Sequence, residues 1–333
     1  MNNLATWSTP QWRTEATAWA DERLAAHGLE RTGDVEQPHL RSWATVLRIP
    51  TSGGAVWLKA PGGGTAFEIP LYPLLLAAAP DQVLHPLAID PDRRWLLLPD
   101  GGPPLGELAK GPALIDALVD ALPGYARLQR RLASRADDLL GIGLPDLRPT
   151  SIPDRYADCL AEVADYVARR ADPEEVVTLQ RLRALEVTVR QWADELAASP
   201  VRPSLDHNDL HPWNLLCAAG DVAQARTYDW GDAVVGHPFA SLMVVLGWLT
   251  NSDGEGLVPD SAAVLRVRDA YLAEFADLAP HAALVRDVEL AARSAKLGRA
   301  LSWIGVLHAS GEHLTGELAQ APLYWLSRLL SDS

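Results

Sequence analysis

The sequence predicts an α+β protein in which a small antiparallel sheet precedes a larger and mainly helical part. Short strand-like segments are concentrated before residue 100, and long segments of helical periodicity dominate after residue 112. A segment rich in glycine and proline, residues 99–104, lies between them. We therefore expect two lobes, residues 1–99 and residues 100–333, with the boundary at this segment.

The first lobe is expected to combine an N-terminal helix with a small sheet. Ser8-Thr9-Pro10 supplies the signals of a capped helix start, and the apolar periodicity that follows extends to Leu29. A second helix is expected over residues 65–79, where Pro70 and Pro73 should kink or divide it. Strand patterns cover residues 36–41, 45–49, 55–59, 85–90 and 95–98.

The second lobe is expected to consist of helices around one hairpin. An apolar run, residues 215–217, and a segment of strand-like alternation, residues 222–228, flank the turn residues Gly220-Asp221. The residues that flank the strands of an antiparallel pair meet at its open end, so Asn214 and Asp229 should face each other. Helical periodicity covers residues 113–135, 152–170, 173–198, 238–249, 261–276, 281–308 and 314–330.

Three oxygen-bearing side chains around this hairpin point to a reaction. Carboxylate and amide oxygens are the ligands that Mg²⁺ prefers, which makes Asn214 and Asp229 candidate metal ligands. Asp209 precedes Asn214 by five residues on the loop that enters the hairpin, where it could orient a substrate hydroxyl and accept its proton. The pattern is typical of phosphoryl transfer from the magnesium complex of ATP or GTP to a hydroxyl of a small molecule.

The residues of this loop also carry a family resemblance. Residues 206–214, Asp-His-Asn-Asp-Leu-His-Pro-Trp-Asn, and the pair Asp229-Trp230 resemble the aminoglycoside phosphotransferase and choline kinase-like family. The loop of that family reads roughly His-Gly-Asp-Leu-His-Pro-Gly-Asn, and its metal-binding strand ends in Ile-Asp-Trp. The resemblance implies a bilobal protein-kinase-like fold, Asp209 as catalytic base, Asn214 and Asp229 as magnesium ligands, and His207 as a brace of the loop.

Strand alternation in residues 55–59 places Trp57 and Lys59 on one face. The resemblance then implies that Lys59 holds the α- and β-phosphates and that Trp57 stacks on adenine. It also pairs Lys59 with Glu68, because an ammonium in a cleft needs a partner. The carboxylate of Glu68 could instead merely stabilise the start of the following helix.

The adenine and phosphate contacts are expected at two further places. The resemblance implies that the carbonyl of Pro99 and the N–H of Gly101 bind adenine, and proline's missing donor does not matter there. Ser42 stands in the turn between the first two strands, which contains no glycine, and is a candidate phosphate donor. Residues 62–64, three glycines, are interpreted as a linker rather than a phosphate loop.

Four residues depart from the family pattern. Asn208 and Trp213 replace glycines; asparagine tolerates unusual backbone angles, whereas the tryptophan should narrow the mouth of the site. Gly231 and His237 replace acids, which should make the acceptor site less negative. We therefore expect poor activity on polycationic aminoglycosides.

Two other activities fit part of the same pattern. His207, Asp209 and His211 could form a metal-binding cluster of a hydrolase. A pseudokinase would bind nucleotide without turnover. A protein kinase is disfavoured because no Ala-Pro-Glu-like segment follows Asp229.

Composition sets limits on partners and compartment. The net charge of −14 argues against nucleic acid, because binding to its phosphates needs clustered Lys and Arg. The N-terminus has no export signal, and no apolar run approaches the thickness of a bilayer. Two distant cysteines, Cys159 and Cys217, show no metal spacing. We expect a cytoplasmic enzyme without membrane or nucleic-acid partners.

Overall fold

A computed structural model describes residues 3–252, 254–309 and 317–331. The part up to Pro99, which we call the N-lobe, contains one five-stranded antiparallel sheet in the order β1-β2-β3-β5-β4. Its helices are α1 (Asn3–Trp7), α2 (Pro10–Ala26) and α3 (Glu68–Ala78), and its strands are β1 (Glu36–Leu40), β2 (Ala44–Thr51), β3 (Gly54–Pro61), β4 (Ala88–Asp90) and β5 (Trp95–Pro99).

Helix α2 covers the outer face of this sheet. Thr9 caps it by accepting a hydrogen bond from the N–H of Trp12 (3.2 Å). Trp12 and Trp19 lie edge-on to Trp95, with ring centroids 6.1 and 5.6 Å away. Because successive strand residues point to opposite faces, Val56 and Leu58 join this apolar cluster and leave Trp57 and Lys59 on the other face, as predicted.

Two N-lobe elements are shorter than predicted. Strand β4 begins only at Ala88, because Pro86 has no N–H with which to extend the ladder. Helix α3 begins at Glu68, after a 3-10 turn, Gly63–Thr65. Pro70 lies in its first turn, where no N–H is needed, and Pro73 lies inside the helix without ending it.

The remainder, which we call the C-lobe, is mainly helical. Its helices are α4 (Leu105–Leu108), α5 (Gly111–Leu132), α6 (Ala136–Gly141), α7 (Ile152–Arg170), α8 (Pro173–Ala184), α9 (Glu186–Ala197), α10 (Leu242–Thr250), α11 (Ala262–Leu272), α12 (His281–Ala309) and α13 (Ala321–Ser327). Its strands are β6 (Asp146–Leu147), β7 (Ser204–Asp206), β8 (Leu215–Cys217), β9 (Ala225–Thr227) and β10 (Val234–Gly236). The lobe division at residue 99 stays a prediction.

Several predicted helices differ in their bounds. The helix expected over 173–198 is divided at Leu185, whose N–H bonds the carbonyl three residues back. The helix expected over 238–249 starts as a 3-10 turn, Pro238–Ser241. Part of the helix expected over 314–330 lies outside the described residues. Helices α4 and α6 were not predicted, and among the described residues no helix is long and apolar enough to cross a bilayer.

The predicted hairpin is present as β8 and β9. Leu215 pairs with Thr227, and the N–H of Tyr228 donates to the carbonyl of Asn214 (3.2 Å). Residues 222–224 form a 3-10 turn instead of strand, because the Asp221 carboxylate accepts the N–H of Ala223 (3.0 Å). The hairpin is tied to the segment between the lobes, since the N–H of Cys217 donates to the carbonyl of Pro103 (2.9 Å).

A matched pair of glycine substitutions tests this tie. Gly102 and Gly220 both have left-handed backbone angles (φ 80° and 75°), but a Cβ on Gly102 would lie 2.1 Å from the carbonyl oxygen of Cys217, whereas Gly220 faces open space. Gly220→Ala should lower the free energy of unfolding by about 1 kcal/mol through backbone strain alone. Gly102→Ala should cost about 2 kcal/mol more, because the hairpin must move. Urea unfolding measures both, and equal losses would contradict the close approach.

Candidate active site

The loop of residues 206–214 begins with a buried hydrogen-bond network. Asp206, at the end of β7, is fully buried and accepts hydrogen bonds from the hydroxyl of Ser241 and the N–H of Asn208. The N–H of His207 donates to the hydroxyl of Tyr125 on α5 (3.0 Å). These contacts fix the loop entrance to the core of the C-lobe.

Asn208 provides a second anchor for the loop. It has a left-handed backbone (φ 60°), in line with the expectation that asparagine tolerates the conformation usually taken by glycine. Its side-chain amide donates to the carbonyl of Asp232 (3.2 Å) and to the hydroxyl of Ser302 on α12 (3.0 Å). A glycine could not make these two bonds, so Asn208 joins the loop to two other segments.

His207 lies where a brace of the loop should lie. The ring is fully buried, 4.8 Å from the ring of Trp230, and burial lowers the pKa of the imidazole, which keeps it neutral. Its Nε2 lies 2.9 Å from the carbonyl oxygen of Tyr228, so Nε2 carries the proton and donates it. His207 therefore links the loop to the residue directly before Asp229.

Asp209 and Asn214 face each other inside the loop. The Nδ2 of Asn214 donates to the carbonyl of Asp209 (2.9 Å), which leaves the amide oxygen as the atom that can bind a cation. The carboxylate of Asp209 lies 3.0 Å from a guanidinium nitrogen of Arg299 and 3.6 Å from Nε2 of His211. Burial opposes ionisation, but His211 and Arg299 outweigh it and lower the pKa of Asp209. The carboxylate is therefore ionised at neutral pH.

Lys59 joins the two lobes through two ion pairs. Its ammonium donates to Glu68 on α3 (2.7 Å) and to Asp229 after β9 (2.6 Å). Glu68 is buried and also accepts the N–H of Trp230 (3.2 Å). Burial opposes the charge of Lys59, but the two carboxylates outweigh it and raise the pKa of the ammonium. The predicted pairing of Lys59 with Glu68 is present, and Asp229 is added to it.

A cavity of about 360 Å³ lies under the sheet, and we call it the hinge cavity. Trp57, Lys59, Pro99 and Gly101, all predicted to contact nucleotide, line it together with Asp229. Its other walls come from residues of both lobes, including His39, Val46, Leu84, Leu98, Leu216 and Tyr228.

Ser42 is not among the residues that line this cavity, and its role as a phosphate donor stays a prediction. The carbonyl of the next residue, Trp43, accepts hydrogen bonds from the N–H of Gly62 (2.7 Å) and the hydroxyl of Thr65 (3.0 Å). The turn is thus fixed onto the glycine-rich segment, and the Trp43 side chain takes the place at the cavity wall.

A second cavity of about 200 Å³, which we call the Asp209 cavity, adjoins the first. Trp43, Lys59 and Asp229 line both cavities, whereas Asp209 lines only the second. Its further walls are formed by Thr65, Gly231, Asp232, Arg299, Ser302, Trp303 and Val306. Lys59 and Asp229 therefore stand at the junction between a large cavity and a smaller one that contains the candidate base.

A family model described as the phosphotransferase enzyme family matches residues 75–284. The chain belongs to this family. The match covers the loop with Asp209 and Asn214 as well as Asp229, and it confirms the family predicted from that loop. Lys59 and Glu68 lie before the matched segment, so their place in the site is defined by the structure.

Solved structures with the same fold cover nearly the whole chain. A macrolide 2'-phosphotransferase type I is 17% identical, with 96% of this chain and 97% of that chain covered and a TM-score of 0.59. The choline kinase LicA from Streptococcus pneumoniae is 14% identical, with 95% and 99% covered and a TM-score of 0.59. An ethanolamine kinase from Plasmodium vivax is 10% identical, with 90% and 80% covered and a TM-score of 0.60. No curated protein sequence matches the chain. The predicted bilobal protein-kinase-like fold is confirmed.

Two of the four residues that depart from the family pattern, Trp213 and His237, line neither cavity. Trp213 packs on Gly106 of α4, with the ammonium of Lys110 5.4 Å from its ring, so it does not narrow the Asp209 cavity. His237 is buried and accepts the N–H of Phe239 as a helix cap, so it does not set the charge of the acceptor site. The Pro that follows His237 is the sequence signal of this cap. Gly231, by contrast, does line the Asp209 cavity.

Sequence reasoning missed the contribution of α12. Arg299, Ser302 and Trp303 reach the site from this helix, about 90 residues after the loop. Gly298 is the sequence feature that could have indicated the contact between α12 and the loop, because a Cβ at this position would lie 2.8 Å from the side-chain oxygen of Asn208. A glycine inside a helix often permits such a close approach.

The hydrolase interpretation finds no support in the site. His207 is bonded to the carbonyl of Tyr228 rather than turned toward Asp209. Within the described parts of the chain, no group of three or more His, Cys, Asp or Glu side chains has the arrangement of a metal site. A site that uses Asn214 and Asp229 together with phosphate oxygens does not need such a group.

The Lys59 pairing can be tested by a double-mutant cycle. Lys59→Met and Glu68→Gln should each weaken nucleotide binding, and the double variant should lose less than the sum, with a coupling of about 1–3 kcal/mol. The reason is that Glu68 acts by holding Lys59. The same cycle on the exposed pair Arg266 and Asp116 should leave nucleotide affinity unchanged. Calorimetric titration with ATP measures all variants, and strict additivity at Lys59 and Glu68 would contradict the pairing.

Asp206 should make stability depend on pH. Burial raises its pKa to about 6, above the value of about 4 expected in the unfolded chain. Between these two pKa values the folded state binds more protons than the unfolded state, so the raised pKa of Asp206 stabilises the fold fully below about pH 4. This stabilisation is lost as the pH rises through about 6. The free energy of unfolding of Asp206→Asn should therefore rise by roughly 2–3 kcal/mol relative to that of the unmodified protein as the pH increases from 4 to 7.

Unfolding by urea across this pH range measures the difference. Asp120→Asn, at an exposed position of α5, serves as the control and should follow the unmodified protein within about 0.5 kcal/mol. Parallel stability curves for Asp206→Asn and the unmodified protein would refute the expectation.

Proposed function

We propose that this phosphotransferase family member transfers the γ-phosphoryl group of ATP or GTP to a hydroxyl of a small molecule and depends on Mg²⁺. The observation that carries the proposal is the position of Lys59 and Asp229 at the junction of two cavities, with Asp209 in the second. A nucleotide in the hinge cavity would present its terminal phosphate at this junction.

The hinge cavity has the chemistry of a nucleotide site. Its walls are largely apolar, with Trp57 available to stack on a base, while Pro99, the last residue of β5, and Gly101, two residues later, offer backbone groups. Lys59 is a fixed cation at the far end, where phosphates would lie.

Asn214 and Asp229 are the residues that would hold a magnesium ion. Asp229 is half exposed at the junction, and the amide nitrogen of Asn214 is already used within the loop, so both residues offer oxygen. Two protein oxygens are enough, because Mg²⁺ keeps waters and binds substrate phosphates as further ligands. When bound, the ion neutralises negative charge on the phosphate oxygens.

Asp209 has the position of a base for the acceptor hydroxyl. The hydroxyl oxygen forms a bond to the γ-phosphorus, the bond from that phosphorus to the bridging oxygen breaks, and the nucleoside diphosphate leaves. The hydroxyl proton passes to the carboxylate of Asp209, which is ionised and fixed by Arg299. In a loose transition state the proton leaves late, so the orientation of Asp209 matters more than its basicity.

Other activities are less well supported. Asp209, Asn214 and Asp229 are all present in one loop-and-hairpin unit, which favours turnover over a pseudokinase. The Asp209 cavity is small and closed on several sides by Trp43 and α12, which favours a small molecule over a protein acceptor. The macrolide, choline and ethanolamine kinases with this fold point the same way. We place the reaction in the cytoplasm, without nucleic-acid or membrane partners.

Replacement of either acid should abolish turnover. Asp209→Asn should lower kcat by about 100- to 10,000-fold with little effect on nucleotide affinity, because it removes only the proton acceptor. Asp229→Asn should cause a similar loss and also remove the dependence of nucleotide binding on Mg²⁺. The readout is transfer of labelled phosphate from ATP or GTP to a panel of alcohols, sugars and nucleosides.

Asp92→Asn, on the exposed turn before β5, is the control and should retain full activity. Thermal unfolding near that of the unmodified protein shows that each variant is folded. Near-normal transfer by either the Asp209 or the Asp229 variant would overturn the assignment.

A further inference from the structure

The guanidinium of Arg299 is held at the wall of the Asp209 cavity. Arg299 belongs to α12, and its Nη1 lies 3.0 Å from the carboxylate of Asp209 and 3.6 Å from that of Asp232. The same nitrogen donates to the carbonyl of Asn208 (3.2 Å), and the guanidinium carbon lies 5.6 Å from the ring centroid of Trp325. Because the side chain is only 11% exposed, the charge stays beside the candidate base.

This guanidinium is only partly used by the protein. The three contacts with oxygen all involve Nη1. The Nε–H is buried and finds no partner among the described residues, and Nη2 donates to none of them either. A guanidinium carries five N–H groups in one plane, and this planar set matches the oxygens of a phosphate group in geometry and charge. Arg299 therefore has donors left for a phosphoryl group in the cavity.

The formal charge of the cavity calls for such a cation. Of the described residues that line it, only Lys59 and Arg299 are cationic, whereas the acids are Glu68, Asp209, Asp229 and Asp232. Phosphorylation of a hydroxyl beside Asp209 would add about two further negative charges at pH 7. Lys59 is paired at the junction with the hinge cavity, while Arg299 contacts Asp209 directly. Arg299 is therefore placed to offset the charge that arrives on the acceptor side.

The transfer step itself would change the balance of charge around Arg299. The acceptor oxygen forms a bond to the γ-phosphorus, the bond to the bridging oxygen breaks, and its electron pair leaves with the nucleoside diphosphate. The hydroxyl proton passes to Asp209, whose carboxyl group becomes neutral and attracts the guanidinium less. Phosphoryl oxygens enter the cavity during the same step, so the attraction of Arg299 shifts from the carboxylate to the phosphate.

We propose that Arg299 is a further catalytic residue, whose guanidinium binds the phosphoryl group in transit and the phosphate of the product. This inference rests on the proposed kinase function. A donor that meets the transferred group only during the reaction stabilises the transition state more than the bound nucleotide, so it raises kcat rather than nucleotide affinity. A residue that merely positioned Asp209 would act entirely through that carboxylate.

Fluoroaluminate, a mimic of the phosphoryl group in transit, tests this contact without knowledge of the acceptor. Binding of ADP and Mg²⁺ to the full chain is measured by calorimetry at pH 7, with and without fluoroaluminate. In the unmodified protein, fluoroaluminate should tighten the binding of ADP by at least about 100-fold. Arg299→Met should reduce this gain to less than about 5-fold, while the affinity for ADP and Mg²⁺ alone stays within about 3-fold.

Further variants separate direct contact from positioning. Arg299→Lys should keep a gain of about 10-fold, because the charge remains but the planar set of donors is lost. Asp209→Asn should keep the full gain or increase it, since fluoroaluminate needs no proton acceptor. In the Asp209→Asn background, Arg299→Met should still remove the gain.

Arg293→Met is the matched control. Arg293 lies on the same helix over the ring of Trp192 (4.5 Å), outside the Asp209 cavity. This variant should leave both the affinity for ADP and the gain from fluoroaluminate unchanged. Thermal unfolding shows whether each variant is folded, and Arg299→Gln, with the same expectations, replaces the methionine variant should that variant not fold.

Each result decides the inference. It is overturned if fluoroaluminate leaves the binding of ADP to the unmodified protein unchanged, or if the neutral variant of Arg299 keeps the full gain. It is also overturned if the double variant keeps the gain of Asp209→Asn, because Arg299 then acts only through Asp209. The kinase proposal fails separately: near-normal transfer by the Asp209 or Asp229 variant overturns it whatever Arg299 does, and absence of ADP binding overturns both.

Discussion

The site depends on one interaction, the position of the Lys59 ammonium between two carboxylates from different parts of the chain. Glu68 belongs to α3 of the N-lobe, whereas Asp229 follows the C-lobe hairpin. A buried ammonium without partners would be strongly destabilising, so burial of Lys59 requires that both acids be in place. The three residues therefore couple the relative position of the lobes to the geometry of the junction between the two cavities.

The rest of the site is arranged around the loop that carries Asp209. Asp206 and His207 fix its start to the C-lobe core, and Asn208 fixes its middle to α12. Asn214 closes it from the other end by donating to the carbonyl of Asp209. None of these four bonds uses the carboxylate of Asp209, which instead lies 3.0 Å from a guanidinium nitrogen of Arg299.

Much of this could be predicted from the sequence, because the signals are local. Alternation in β3 placed Lys59 on the face that lines the hinge cavity, and the spacing around the hairpin put Asn214 opposite Tyr228, the residue directly before Asp229. The contacts of α12 could not be predicted, because Arg299 and Asp209 are about 90 residues apart in the sequence. Helical periodicity does not indicate which face of a helix packs against a distant loop. Trp213 and His237 were misplaced for a related reason: they lie close in sequence to the candidate catalytic residues, but the side chain of Trp213 packs on α4 and that of His237 forms a helix cap.

Trp43 forms part of the wall of both cavities. Any ligand that shifts or immobilises its ring in one cavity changes the shape and the residual motion of the other. Coupling of this kind is reciprocal, so the factor by which nucleotide changes the affinity for acceptor must equal the factor by which acceptor changes the affinity for nucleotide. If nucleotide and acceptor bind in the two cavities as proposed, this indole is a shared contact through which each can change the affinity for the other, without any domain movement being required.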